Sequence, residues 1–264
     1  MQTISWITFG VSNAVAKTVV HFFPSAGNVS APYPAHCKLS WFGQGSVSKT
    51  VTVDGPRLSQ PDGVRLDAVF KDLDEGASGF IGVEIALSTV QPRIDLTSSA
   101  CVVELASRAY SARFRPICLN RDTTQASGHG PGSSGPGLAL NDSYNTSSVV
   151  VVNRTANNLE PKLVSLRTEG VAASVKAESA VALGSESSGE ITSDALGGPV
   201  VPPYSVHEIK LGESFFEAQA PKQCSWGLLR SRNVVLSEAL PLGAACYMLY
   251  RNSVTKVPVS VRGL

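Results

Sequence analysis

Charge is scarce in this chain: Asp, Glu, Lys and Arg make up 16% of its 264 residues, against about 25% in an ordinary globular protein. The 22 basic and 21 acidic side chains nearly cancel, leaving a formal net charge of +1. The closest approach to a basic patch is the loose set Arg108, Arg113 and Arg115. Nucleic-acid binding needs a concentrated positive footprint, so no nucleic-acid partner is expected. Long apolar runs are also missing. Nothing approaches the about 20 consecutive apolar residues of a membrane helix, so no membrane span is expected. Ile4 to Val11 is mostly apolar, and Ala14-Val15-Ala16 has the shape of a signal-peptidase site. No Lys or Arg precedes that run, however, and Ser5, Thr8, Ser12 and Asn13 break it up. It reads as a first β-strand followed by a turn.

The common catalytic and metal-binding spacings are absent as well. Cys37, Cys101, Cys118, Cys224 and Cys246 include no C-x-x-C pair, which argues against a zinc ribbon or thioredoxin-type site. Their odd number leaves one thiol free or paired with another chain. If a disulfide forms, Cys224 with Cys246 is the expected pair, on adjacent strands. His21, His36, His129 and His207 show no H-x-H, H-x-x-x-H or H-E-x-x-H spacing, and the sequence has no G-x-S-x-G nucleophile elbow. Gly130-x-Gly132-x-x-Gly135 matches a dinucleotide fingerprint as text. Pro131 sits inside it and no helical stripe follows, so the amides that would cradle a pyrophosphate are not supplied. Asp72, Asp74 and Glu75 before Gly76 form a fragment of a calcium loop without its later oxygen ligands. No cofactor, metal or catalytic residue is assigned on these grounds.

What the chain does have is strand signals and one pronounced break. Ser127 to Gly137 reads SGHGPGSSGPG, too rich in Gly and Pro to repay its own ordering entropy with buried side chains. It falls near the midpoint. Lys17 to Phe23, Val47 to Val53, Phe80 to Leu87, Cys101 to Leu105 and Ala109 to Ile117 read as strands before it, with Lys49 marking a strand end or a sheet edge. Ser148 to Asn153, Lys162 to Arg167, Val206 to Leu211, Ser225 to Leu229, Asn233 to Leu236, Ala245 to Tyr250 and Lys256 to Val261 follow it. Ala172 to Leu183 is ambiguous. Leu66, Val69, Phe70 and Leu73 make one helical stripe, with Asp62 as candidate N-cap and Gly76 as candidate terminator. At an offset of 145, Gly82, Cys101 and Leu119 fall on Gly227, Cys246 and Leu264. The identity is near chance, so a duplication is only a hypothesis from sequence.

The expected fold is therefore all-β: two tandem Ig-like or fibronectin-like antiparallel β-sandwich domains, with one short helix in the first. The expected boundaries are 1–122, a linker at 123–140, and 141–264. Three functions remain open. The first is a non-enzymatic, extracytoplasmic binding or structural module, such as a surface, adhesin-like or filament component, with a protein or glycan partner or self-assembly. The second is a carbohydrate-binding protein or accessory region, which needs Trp41, Trp226 or Tyr204 exposed in one groove with carboxylates. A sandwich core explains the same aromatics, with Trp6 and Tyr247, as well or better, and is the preferred reading. The third is a hydrolase with a nonlocal triad built on His21, His36 or His207. Asn-x-Ser/Thr sequons at Asn28, Asn141, Asn145 and Asn153 are glycan acceptors only in an exported eukaryotic setting. If the two halves are fixed to one another, the crease between them is where a partner is expected.

Overall fold

The computed structural model describes residues 2–11, 13–23, 35–43, 46–58, 60–70, 80–89, 100–108, 110–119, 137–168, 191–196, 199–211, 213–216, 222–224 and 227–264. These residues are all-β, with antiparallel sheets and three helical turns of four residues each. In the first half the strands are β1 (Gln2–Gly10), β2 (Lys17–Phe22), β3 (Ala35–Gly43), β4 (Ser46–Asp54), β5 (Val64–Arg65), β6 (Ile81–Thr89), β7 (Cys101–Ala106), β8 (Ser111–Phe114) and β9 (Ile117–Cys118). They form one sheet in the order β4-β3-β6-β1-β9 and a second in the order β5-β2-β7-β8. Helical turns α1 (Gly55–Leu58) and α2 (Leu66–Val69) flank β5.

The second half contributes β10 (Gly137–Asn141), β11 (Asn145–Asn153), β12 (Leu163–Thr168), β13 (Ile191–Leu196), β14 (Ser205–Lys210), α3 (Glu213–Phe216), β15 (Lys222–Cys224), β16 (Gly227–Leu236), β17 (Ala244–Asn252) and β18 (Pro258–Gly263). Its strand order is β13-β12-β16-β10-β11-β17-β18, with β14 on β11 and β15 on β16. Strands β10 and β11 share only the pair Asn141–Thr146. A tight turn makes that hairpin: the Asp142 carboxylate accepts the Tyr144 and Asn145 amides at 2.7 and 2.6 Å. Separated at this single pair, the strands form two sets, β13-β12-β16-β10 and β14-β11-β17-β18. These repeat, strand for strand, the β4-β3-β6-β1 and β5-β2-β7-β8 orders of the first half. Cys101 and Cys246, which coincide at offset 145, occupy the equivalent strands β7 and β17 and are both fully buried.

The hydrophobic runs of β11 and β17 have a specific cause. Val149, Val151, Ala244, Cys246 and Met248 point into the core of the second half, with Leu163, Val234 and Phe216. Val150, Val152, Ala245, Tyr247 and Leu249 point the other way and join the core of the first half, with Trp6, Phe9, Leu39 and Ile85. A strand covered on both faces has no polar side to alternate. Full burial of an aliphatic side chain stabilises by about 1.5–3 kcal/mol, so Val150, Val152 and Leu249 alone hold the halves together firmly. Tyr247 goes deepest. Its ring lies 5.3 Å from Phe9 and 5.6 Å from Phe114. Its hydroxyl donates to the Ile7 carbonyl at 2.6 Å and accepts the Ile117 amide at 3.0 Å.

Three expectations need correction. The helical stripe is realised only as Leu66–Val69. Arg65, not Asp62, stands at its start, and Phe70 has already left helical geometry at φ −106° and ψ 89°. Gly63, at φ +69°, turns the chain so that Val64 and Arg65 pair with Val20 and Val19 before the helix begins. Leu73 and Gly76 lie outside the described residues. Cys224 and Cys246 do not form a disulfide: Cys246 is a buried free thiol. Their strands are not neighbours either, since β15 pairs with β16, whereas β17 pairs with β11 and β18. Finally, Gly137 to Leu140, assigned to the linker, belong to β10. The rest of the Gly-Pro run, Ala172 to Leu183, and Asp72, Asp74 and Glu75 lie outside the described residues. No helix of the described residues is long and apolar enough to cross a membrane.

Candidate functional site

The crease between the two halves opens into a cavity of about 550 Å³, within the ~300–1,000 Å³ range of small-ligand sites. Its construction starts at Asn153, the last residue of β11. That side chain is fully buried. Its amide nitrogen donates to the carbonyls of Asn157, Val201 and Pro202 at 2.8, 3.0 and 3.0 Å. Its oxygen accepts the amide and hydroxyl of Thr155 at 3.0 and 2.7 Å. One side chain thus fixes the turn after β11 and ties it to the segment before β14, which the Leu159–Val201 bridge also anchors.

Two crease residues project from these tethered segments. Arg154 follows Asn153 and donates from Nε to Glu84 of β6 at 2.8 Å, joining the second half to the first. The guanidinium carbon sits 5.3 Å from the centre of the Tyr204 ring, close enough for cation–π attraction. Tyr204 has φ +48°, a left-handed backbone that bulky residues rarely adopt. The Pro202-Pro203 pair before it and the Ser205 hydroxyl bonded to the Pro202 carbonyl at 2.6 Å hold that turn. Ser5 and Thr155 add hydroxyls to the wall, and Leu242, 68% exposed, forms an apolar rim. The Arg154 terminal nitrogens, Glu84 Oε1 and the Tyr204 hydroxyl have no hydrogen-bond partner among the described residues.

Among the described aromatics considered from sequence, Tyr204 is the one that lines the crease. Trp41 packs against the first-half core, and its buried Nε1 lacks a hydrogen-bond partner among the described residues. Trp226 lies outside the described residues. Trp6 and Tyr247 are core residues. The histidines are dispersed. His36 forms an exposed pair with Asp54 at 3.2 Å, His207 is exposed on β14, and His129 lies outside the described residues. His21 is buried on β2, with Nε2 2.8 Å from Glu104, whose same oxygen accepts Arg113 Nε at 2.8 Å. The other ring nitrogen faces Gly63, where a Cβ would stand 2.7 Å away. Among the described residues, His21 bonds to the Glu104 carboxylate and to no hydroxyl or thiol. Burial acts to raise the Glu104 pKa, but the bonds from Arg113 and His21 outweigh it and hold it below the usual glutamate value.

Burial pushes the Cys246 thiol up to about 12 and raises Cys37 and Cys101 as well, so these thiols are inert as nucleophiles. Among the described residues, no three His, Cys, Asp or Glu side chains converge on a point that could hold a metal ion. The chain matches no protein-family model and no curated protein. Sequence reasoning missed Glu84, Arg154 and Asn153. Asn153 was visible only as a sequon, and the long-range Arg154–Glu84 pair leaves no local signature.

Proposed function

We propose that the chain is a non-enzymatic, extracytoplasmic binding module whose ligand sits in the crease. In this reading it consists of two tandem Ig-like sandwiches, 1–122 and 137–264, joined through 123–136. The repeated strand order supports the tandem reading. The pairings β1-β6-β3 with β8-β7-β2, and their counterparts β10-β16-β12 with β18-β17-β11, support the Ig-like reading, because such domains pair their central strands in a comparable order. Low charge favours an exported protein. The observation that carries the binding role is the ion pair of Arg154 and Glu84, made across the halves beside Tyr204. The Glu84 charge is already matched by Arg154, an arrangement suited to holding a ligand by hydrogen bonds more than to moving protons.

The test is a thermal-shift screen of the full chain against saccharides, amino acids, organic acids, nucleotides and peptides. A ligand at 100 times its dissociation constant stabilises by about 2.7 kcal/mol, and each kcal/mol raises the midpoint by roughly 2–4 °C. The expected result is a shift of several degrees from one class, lost in the E84Q/R154Q double variant. A screen in which no class gives a shift that depends on these two residues overturns the reading. Fractionation of the native host then checks export: recovery solely with the cytosol contradicts an extracytoplasmic role.

A further inference from the structure

We infer that the crease takes a neutral saccharide, a proposal that rests on the crease being the ligand seat. The first argument is charge. Among the described residues, the ionised side chains lining the cavity are Arg154 and Glu84, one of each sign and paired at 2.8 Å. A ligand bearing net charge gains attraction from one and repulsion from the other, so neither an anion nor a cation is favoured. The second is the pattern of polar atoms that have no partner among the described residues. Arg154 offers terminal N–H donors, Glu84 Oε1 is an acceptor, and the Tyr204 hydroxyl is both. A vicinal diol needs that alternation, because each sugar hydroxyl donates and accepts. A nucleotide would bring net negative charge that the Arg154–Glu84 pair does not balance.

The third argument is the apolar part of the wall. Tyr204 and the exposed Leu242 offer a surface for the C–H face of a pyranose, while the guanidinium occupies one side of the tyrosine ring. A volume of about 550 Å³ leaves room for a mono- or disaccharide. The fourth is backbone strain. Tyrosine is a poor choice at φ +48°, where Gly or Asn is at ease. Strained positions persist where the side chain is needed, and here the needed group is an aromatic ring with a hydroxyl.

The experiment applies the full chain to an array of neutral and acidic glycans, then measures affinity by calorimetry for the neutral glycan that binds best. Citrate, inorganic phosphate and spermidine serve as charged probes. The expected outcome is saturable binding of a neutral glycan, weakened at least tenfold by Y204G and by E84Q, and unchanged by V254S at a remote exposed site. Circular dichroism confirms that each variant is folded, and R154K stands in should either crease variant fail to fold. No neutral-glycan binding, or binding indifferent to the crease variants, overturns the inference. If a charged probe or a peptide binds and the crease variants abolish it, the saccharide assignment fails while the binding module stands. If nothing binds in a crease-dependent way, both fail.

Discussion

Tyr247 packs its ring between Phe9 and Phe114 and places its hydroxyl between two backbone groups of the first half. Y247F keeps the ring but removes the hydroxyl's bonds to the Ile7 carbonyl and the Ile117 amide. Each lost hydrogen bond costs about 0.5–1.5 kcal/mol, so urea denaturation of Y247F is expected to show a loss of about 1–3 kcal/mol. Glu104 supplies a pH signature. Its folded-state pKa is depressed, so its contribution is complete above the ordinary glutamate value and is lost as pH falls through the lower, folded one. Stability measured between neutral pH and pH 3 is expected to drop more steeply in the wild type than in E104Q. At Tyr204, Y204G removes some packing but releases an unfavourable backbone. Its ligand-free stability is expected to fall by no more than about 1 kcal/mol, far less than truncating an ordinary half-buried aromatic.

At the scale of elements, Gly63 works as a hinge of fixed sign. With φ +69° and the His21 ring against it, G63A is expected to cost about 1–3 kcal/mol by chemical denaturation. Most strands were legible because their cause is local. Lys17 to Phe22 and Ser46 to Asp54 carry β-branched residues bounded by turn signals, and Lys49 does mark a sheet edge, since β4 is the outer strand of its sheet. Strand β10 was not legible. Gly137-Leu138-Ala139-Leu140 continues a Gly-Pro run, and only pairing with β16, contributed almost a hundred residues later in the chain, makes it a strand. The helical stripe misled for a similar reason: β2 captures Val64 and Arg65 first. The crease residues come from β6, the turn after β11 and the turn before β14, so no window of sequence contains the site.

For the whole molecule, the shared core decides how the halves behave. The apolar seam through Val150, Val152, Tyr247 and Leu249 makes a single calorimetric unfolding transition the expected result for the wild type. Y247A, which removes a fully buried aromatic and opens a cavity worth about 3–5 kcal/mol, is expected to split or broaden it. Thiol chemistry reports on the same packing. Cys37, Cys101 and Cys246 are buried, whereas Cys118 on the edge strand β9 is partly exposed. Native-state alkylation followed by mass spectrometry is therefore expected to label Cys118 well ahead of those three. The sequence indicated two halves and a crease worth inspecting. The matching strand order of the two halves was hidden because pairing order depends on which face of a strand is apolar and requires few identical residues.

The buried Asn153 amide has a consequence for biosynthesis. Asn153-Arg154-Thr155 is an acceptor sequence for N-linked glycans, yet in the finished protein its amide is enclosed by the carbonyls of Asn157, Val201 and Pro202. A glycosylating enzyme could reach it only before the second half closes. In a eukaryotic secretory host, folding and modification would therefore compete for the same nitrogen. Every chain modified there would carry a glycan that this turn has no room to hold.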